Sequence, residues 1–567
     1  MALIDKASLL MVPSTYEAGK LYNVLPSGNR APDSTGSHSG YDQTRADFSF
    51  DRGTNAAATR VNADGLIEKY RENLLTYSND FSNGVWAKSN LSVASSNGAW
   101  EVTDNTTSGS HYLYWGGTTP SSSVLTLSVE AKAGSVNYLV MRLGGFTYAY
   151  FNVANGTLGT IHSSFIDAKI EETSDGFYRC SATILTPSSG NASVFYPSDN
   201  SSNVSYTGTG AVAITIKNAQ LESGLVSTDY LDSTSVTGKA GVLIDLPRID
   251  YSSGAGALLL EPSRQQLYQY SEYSGAWNKT NWTTTDNYAI SPEGVKNAFR
   301  AVSSNTSGIL YVSGTGVTGQ KNTLSVWAKS NTGSDQKFRF FTDGNTNTSS
   351  DFTATTEWQR FEHTYDCAFV TAGIKGASSE LSDILFYGFQ HEAGSYSTSY
   401  IPNHGESGGV TRAADLCTGG GSAESINSTE GVLYAEISAL ADDLTYRIFS
   451  INDGTTNERV YIQYTNANDT ISVVVKNANT TQANISHSLT DETQNTKVAF
   501  RYKANDFAFY VNGSQVGTDT SGSTPVGLNN FSFDQGNGAN FFYGNVKQVA
   551  VFNEALTNEE LATLTTL

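Results

Sequence analysis

The chain has 567 residues, and at roughly 150 residues per domain that length points to three or four domains. Acidic residues outnumber basic ones 54 to 34, a formal charge of −20, which excludes a nucleic-acid backbone or an anionic membrane surface as partner, because both require clustered Lys and Arg. Only 16% of residues are charged, whereas the chain carries 31 Tyr, 26 Phe and 7 Trp, a composition that excludes disorder and favours polar, Gly-rich β-structure.

Residues 1–71 are loop-rich, with PSGNR at 26–30 and a Ser/Gly/His cluster near 35–43. They hold too few apolar residues for an independent core. The segment is expected to fold against a partner or the first following domain, and is the candidate attachment segment. Its start lacks an apolar stretch of secretory-signal length, and no run of 18 apolar residues occurs anywhere, so membrane insertion is not expected. The isolated Cys180, Cys367 and Cys417 offer neither a disulfide framework nor a thiolate metal site.

Two stretches then repeat one another. NLLTYSNDFS (73–82) leads to Trp86, and LYQYSEY (267–273) leads to Trp277; TLSVEAK (126–132) is matched by TLSVWAK (323–329). Arg179 falls opposite Arg360, and Gln220, Glu222, Gly224, Thr228 and Tyr230 match Gln390, Glu392, Gly394, Thr398 and Tyr400 at identical spacing. In TLSVEAK the apolar residues Leu127, Val129 and Ala131 alternate with polar ones, the period of a half-buried strand. Two jelly-roll-like antiparallel sandwiches are expected, at 72–234 and 263–405, with 235–262 connecting them.

Residues 406–567 read as a third sandwich. DFAFYVNGSQVG (506–517) places Phe507, Phe509 and Val511 on one face, and Asn512-Gly513 suits a two-residue hairpin because both tolerate positive φ. Thr557 and Glu560 form a T-x-x-E capping box, predicting one short helix after the last strand. The fold class is therefore all-β: tandem antiparallel β-sandwiches with little helix.

TRVNADGLIE, NLLTYSNDFS, LPRIDYSSGAGALLLEPSRQQL and TSYIPNHGESGGVTRAAD resemble segments of bacteriophage tail and virion structural proteins. The last domain, with FYVNG and FFYGNVKQVAVFNEALTNEEL, resembles concanavalin A-like or laminin-G-like lectin domains. The resemblance implies a virion component, assembled in the host cytoplasm and displayed on the particle surface. Its partners would be other virion proteins, met through the N-terminal segment, and host-surface polysaccharide. It further implies a homo-oligomer such as a trimer.

Catalysis is not expected. Glycoside hydrolysis needs two carboxylates across the scissile bond, and neither an E-x-D-x-x-E strand nor a G-x-S-x-G elbow occurs. No cofactor is expected apart from calcium, for which Asn452-Asp453-Gly454 has suitable loop chemistry. Glu222 and Glu392 are expected to bond local backbone or an arginine, with sugar or metal ligation as the alternative. Aromatics shared by both copies, such as Trp86 and Trp277, are expected in the core. Trp100 and Trp115 occur in the first copy only, and Trp282 and Trp327 in the second only; these four are the candidate sugar or protein contacts. The resulting expectation is host-surface adhesion by a virion protein. A capsid decoration or whisker protein without sugar binding, and a polysaccharide depolymerase, are the alternatives.

Overall fold

The computed structural model describes residues 3–15, 48–53 and 57–566. Strands hold 49% of the chain and helices 4%, so the all-β expectation is met. Among the described residues no helix is long and apolar enough to cross a membrane.

The first sandwich packs two six-stranded antiparallel sheets. One runs, in spatial order, Thr157–Ile161, Tyr148–Asn152, Tyr138–Gly144, Ala192–Ser198, Tyr112–Trp115 and Trp86–Ser89. Its partner runs Phe165–Glu172, Tyr178–Leu185, Val124–Ala133, Val212–Ser223, Ala99–Asp104 and Leu91–Ser96. The second sandwich repeats this layout: Gln359–Asp366, Lys321–Ser330, Asp383–Ala393, Ala298–Ser303 and Trp282–Ala289 occupy the places of the second sheet's last five strands. Even the irregularities coincide. The register slips between Ser128 and Glu130 in one copy and between Ser325 and Trp327 in the other. Opposite these slips lie Asn218 at φ 56° and Gly388 at φ 63°, left-handed residues of the kind a G1-type β-bulge uses. Trp86 and Trp277 are buried, and each indole donates at 2.9 Å to the carbonyl of a left-handed tyrosine, Tyr77 or Tyr270.

The C-terminal sandwich pairs an eight-stranded with a five-stranded sheet. Asn512 and Gly513 both adopt positive φ between Phe507–Val511 and Ser514–Asp519, and Phe507, Phe509 and Val511 face the core. The helix Asn558–Thr565 starts at the capping box of Thr557 and Glu560.

Two segments from elsewhere complete this last sandwich. Ile249–Asp250 and Ala257–Leu260, between the repeats, extend its larger sheet beside Gly544–Phe552. Leu9–Met11 pairs with the same strand, Leu9 opposite Val551, and Leu9 and Met11 are fully buried. Ser49–Asp51 pairs with Leu416–Thr418. This differs from the expected packing against the first sandwich: the three-residue strand LLM is apolar on both faces, and Leu9 and Met11 join the core between the sheets while Leu10 joins the cluster on the other side of the larger sheet. The Ser/Gly/His cluster near 35–43 lies outside the described residues.

Five charged residues fasten the domains together. Arg52, Arg248, Arg412, Glu261 and Asp415 are each no more than 3% exposed. Arg248 and Arg412 both reach Glu261 at 2.8 Å, Arg248 also pairs with Asp415, and Arg52 approaches Asp415 at 3.4 Å. Glu261 accepts further bonds from the backbone and hydroxyl of Ser399, at 2.7 and 2.6 Å. Burial pushes the Glu261 carboxyl up, but Arg412 and Arg248 prevail and hold it at about 2.

Candidate functional site

Strand parity decides which aromatics meet solvent. In Tyr112–Trp115, Leu113 and Trp115 point into the first core, leaving Tyr112 and Tyr114 on the outer face. The neighbouring strands follow the same rule. Ala192–Ser198 turns Tyr196 outward, Tyr138–Gly144 turns Tyr138, Val140 and Arg142 outward, and Tyr148–Asn152 turns Tyr148 and Tyr150 outward. Register aligns these residues across the sheet. Tyr150 lies opposite Val140, and Val140 opposite Tyr196; Tyr148 lies opposite Arg142, Arg142 opposite Val194, and Val194 opposite Tyr114.

The result is a platform of six tyrosines spanning four strands, about 14 Å across at the usual inter-strand spacing. Ring centroids are 5.5 Å apart for Tyr112 and Tyr196, 5.9 Å for Tyr148 and Tyr196, and 6.5 Å for Tyr148 and Tyr150. Tyr150 and Tyr196 form the floor at 5% exposure, while Tyr112, Tyr114, Tyr138 and Tyr148 stay half-buried. Burial raises the Tyr150 and Tyr196 hydroxyls above their ordinary pKa, so both remain protonated at neutral pH. At one rim the Arg142 guanidinium lies 4.4 Å from the ring centroid of Phe146, which is 79% exposed. Such a surface offers apolar ring faces with hydroxyls and one guanidinium at their margins, suited to a flat, polar-edged ligand.

The second sandwich has no such platform. Register places Ile309 where the first copy has Tyr112, Lys375 where it has Tyr196, and Lys337 where it has Tyr138. Arg339 is engaged there with the carbonyls of Gly376 and Thr306, at 2.8 and 3.1 Å.

The tryptophans singled out by sequence lie elsewhere. Trp115 and Trp282 are core residues, 5% and 6% exposed, which corrects the expectation of a surface contact. Their strands turn them inward, and an indole is the largest apolar group available to fill a sandwich interior. Trp100 is half-buried against the first core, its indole N–H donating to the Asn79 carbonyl at 2.9 Å. Trp327 does lie on an outer face, but that face is covered by other parts of the chain. Arg360 sits 4.5 Å from its ring, Tyr387 and Tyr400 flank it, and Ile67 packs into the same cluster. The outward tyrosines have a sequence signal of their own. YLYW and YAYF each carry two tyrosines on the parity opposite the inward residues Leu113, Trp115, Ala149 and Phe151, and YLVMR carries Tyr138 opposite Leu139 and Met141.

The repeated glutamates serve the backbone. Glu222 accepts from Thr228 N–H at 2.8 Å and its hydroxyl at 2.7 Å; Glu392 accepts from both groups of Thr398 at 2.7 Å. Gln220 and Gln390 donate to these carboxylates and accept from Leu231 and Ile401 N–H. The whole Q-x-E-x-G-x-x-x-T-x-Y repeat is thus a clamp on the loop that leaves each sandwich. Arg179 adds a bond to the Thr228 carbonyl at 2.5 Å.

For calcium, the Asn452-Asp453-Gly454 loop is closed on itself. Asn452 Oδ1 accepts from Gly454 N–H and Asp453 Oδ1 from Thr455, at 2.8 and 2.9 Å. Among the described residues no group of three or more His, Cys, Asp and Glu is arranged to hold a metal ion.

A comparison with curated proteins returned no match. Among solved structures, the CBM22-1 xylan-binding domain from Paenibacillus barcinonensis Xyn10C is 13% identical over 24% of this chain and 96% of that one, with a TM-score of 0.19. The CBM22-1–CBM22-2 tandem of the same protein is 11% identical over 65% and 99%, at 0.20. Leech intramolecular trans-sialidase in complex with 2,7-anhydro-Neu5Ac is 19% identical over 25% of this chain and 24% of that chain, at 0.22. These likenesses are too slight to carry an argument about ligand. Residues 433–562 match the Laminin_G_3 family, of the concanavalin A-like lectin/glucanases superfamily, so the C-terminal sandwich is of concanavalin A-like type.

Proposed function

We propose that the chain is a polysaccharide-binding display protein whose glycan lies across the tyrosine platform of the first sandwich. The observation that carries this reading is the alignment of six outward tyrosines over four adjacent strands, on one repeat only. Pyranose rings stack on such faces, and each stacked aromatic contributes about 1 kcal/mol. Weak single sites suffice when many copies are displayed together, because tethering raises the effective concentration of the next contact. The reading is of a binder rather than an enzyme. The four platform strands contain no Asp or Glu, whereas glycoside hydrolysis needs a carboxylate pair. Placement on a phage virion surface, as a homo-oligomer held through the N-terminal segment, is the finer part of the proposal and rests on the sequence resemblance.

The test is retention of the bead-multimerised chain on host-envelope polysaccharide, in calcium and then in chelator. Saturable binding is expected. Tyr112→Ala and Tyr148→Ala should each weaken it about fivefold, the equivalent of about 1 kcal/mol, while Lys337→Ala on the second sandwich should not. The polysaccharide should be recovered without new reducing ends. Loss of binding in chelator would add a metal to the site. Absence of binding by the multimerised chain would overturn the reading in favour of a decoration protein. Immunogold labelling of particles tests the virion placement separately.

A further inference from the structure

The hairpin of Thr59–Val61 and Ile67–Lys69 lies against the outer face of the second sandwich, and its last residue enters a closed cluster. The Lys69 ammonium donates to Glu272 Oε1 at 2.5 Å and also pairs with Glu293. It sits 5.6 and 5.7 Å from the ring centroids of Tyr387 and Tyr400. The other oxygen of the same carboxylate, Glu272 Oε2, accepts from the side-chain amide Nδ2 of Asn297 at 3.3 Å. Tyr400 donates its hydroxyl to Glu272 at 2.9 Å, and Tyr387 donates to Glu293. Asn297 is 2% exposed, and among the described residues its Oδ1 has no hydrogen-bond partner. A cavity of about 770 Å³ between the two sandwiches borders Lys69, Glu272, Glu293 and Asn297.

An amine, a carboxamide and a carboxylate bridging the two, enclosed by aromatic rings, are the complete set of reactants for an amide exchange. We infer that Lys69 and Asn297 are joined by an intramolecular amide between Nζ and Cγ, formed with Glu272 and Glu293 as proton carriers. The Lys69 ammonium first gives one proton to Glu293. The Nζ lone pair then adds to Asn297 Cγ, and the carbonyl π pair moves onto Oδ1. A second proton passes from Nζ through the Glu272 carboxylate to Nδ2, which that carboxylate already touches. As the π pair returns, the Cγ–Nδ2 bond breaks and ammonia leaves into the adjoining cavity. The proton stays on Glu293, so one ammonium, one carboxylate and one carboxamide become one amide, one carboxylic acid and one ammonia. No oxidant or co-reactant is consumed. Burial, then the charge of Glu272, raises the Glu293 carboxyl against the pull of Lys69, which suits a group that keeps its proton when the ammonium is gone. The product replaces a buried ammonium by a neutral amide and ties the hairpin covalently to the second sandwich, so that the hairpin cannot detach without chain cleavage.

Mass spectrometry of the purified full-length chain decides the matter. The intact mass is expected to fall short of the sequence mass by one ammonia, and a protease digest should yield one branched peptide joining the segments around Lys69 and Asn297. Lys69→Arg, which keeps the cation but not the reactive amine, should restore the full mass, as should Glu272→Gln. Recovery of the two segments as separate peptides from the wild-type chain would overturn the inference and leave an ion-pair cluster only. So would a mass deficit that persists in Lys69→Arg. A branched peptide formed in full by Glu272→Gln would refute the role given to that carboxylate.

Discussion

Replacing Glu261 by Gln removes the anion that two fully buried arginines share while leaving the shape of the side chain intact. Arg248 and Arg412 each contact Glu261 at 2.8 Å, and neither is reached by solvent. Two routes to the cost agree. The Glu261 carboxyl is lowered to about 2 from an ordinary 4.5, and at about 1.4 kcal/mol per pKa unit that difference amounts to ~3 kcal/mol. Breaking one partner out of a buried ion pair typically costs about 3–5 kcal/mol. The sign follows from linkage. A depressed folded-state pKa contributes stability above the unfolded value that is lost as pH falls, so the gap between wild type and variant should be full at pH 7 and close between about pH 4.5 and about 2. Every tryptophan lies at or before Trp358, so tryptophan fluorescence during urea denaturation reports on the two repeated sandwiches, and Glu261 grips the second through Ser399. The Glu261→Gln transition should fall by about 3 kcal/mol at pH 7. A loss below about 1 kcal/mol, or a gap that does not change with pH, would refute the assignment of the hub as the interdomain fastening.

Three further outcomes are expected. Trp115→Ala and Trp282→Ala should each destabilise their sandwich by about 3–5 kcal/mol in the same fluorescence assay, as large-to-small core changes do, rather than act first on glycan binding. Leu9→Ala or Met11→Ala should lower the thermal transition of the C-terminal sandwich, by about 2–5 kcal/mol, because both side chains are fully buried against Gly544–Phe552; calorimetry reads this. Glu492 is pushed up to about 7 by burial against the pull of Arg447, with smaller repulsion from Asp442, Asp469 and Asp443. The C-terminal sandwich should therefore lose stability as pH rises from about 4.5 through about 7, by at most about 3 kcal/mol, and Glu492→Gln should abolish that dependence when melts at pH 5 and 8 are compared.

Local features were legible in the sequence because local rules determine them. Alternation in TLSVEAK and TLSVWAK, positive φ at Asn512-Gly513 and the Thr557–Glu560 box each depend on a few neighbouring residues. The clamp of Gln220 and Glu222 was visible because a copy at Gln390 and Glu392 repeated its spacing. What escaped the sequence is which distant segments meet. Leu9–Met11 pairs with a strand more than 500 residues away, and nothing in three apolar residues names the edge they cover. The segments holding Arg248, Glu261, Arg412 and Asp415 were noticed for a family resemblance, yet their meaning is a charge balance that appears only when all are packed together. Trp115 misled for a related reason. It shares a strand with Tyr112 and Tyr114 but sits on the other parity, so the bulkiest aromatic marked the core while the smaller ones marked the surface.

The duplication supplies a control inside the molecule. Several positions kept identical in the two copies are occupied by local structure: Glu222 and Glu392 by the threonine loops, Gln220 and Gln390 by the following N–H groups, Trp86 and Trp277 by a tyrosine carbonyl. Such residues are constrained by folding and leave no free valence for a ligand. On one sheet's outer face Tyr112, Tyr196 and Tyr138 give way to Ile309, Lys375 and Lys337, while Tyr114 is kept as Tyr311. Both faces sit on the same strand layout, so that layout alone does not account for the tyrosines. The half-buried rings of Tyr112, Tyr114, Tyr138 and Tyr148 leave apolar surface in contact with water, a cost that folding does not require, since the second copy folds with Ile309 in place of Tyr112 and Lys337 in place of Tyr138. These four rings, set around the buried Tyr150 and Tyr196 on adjacent strands, therefore argue for a ligand that covers their open faces.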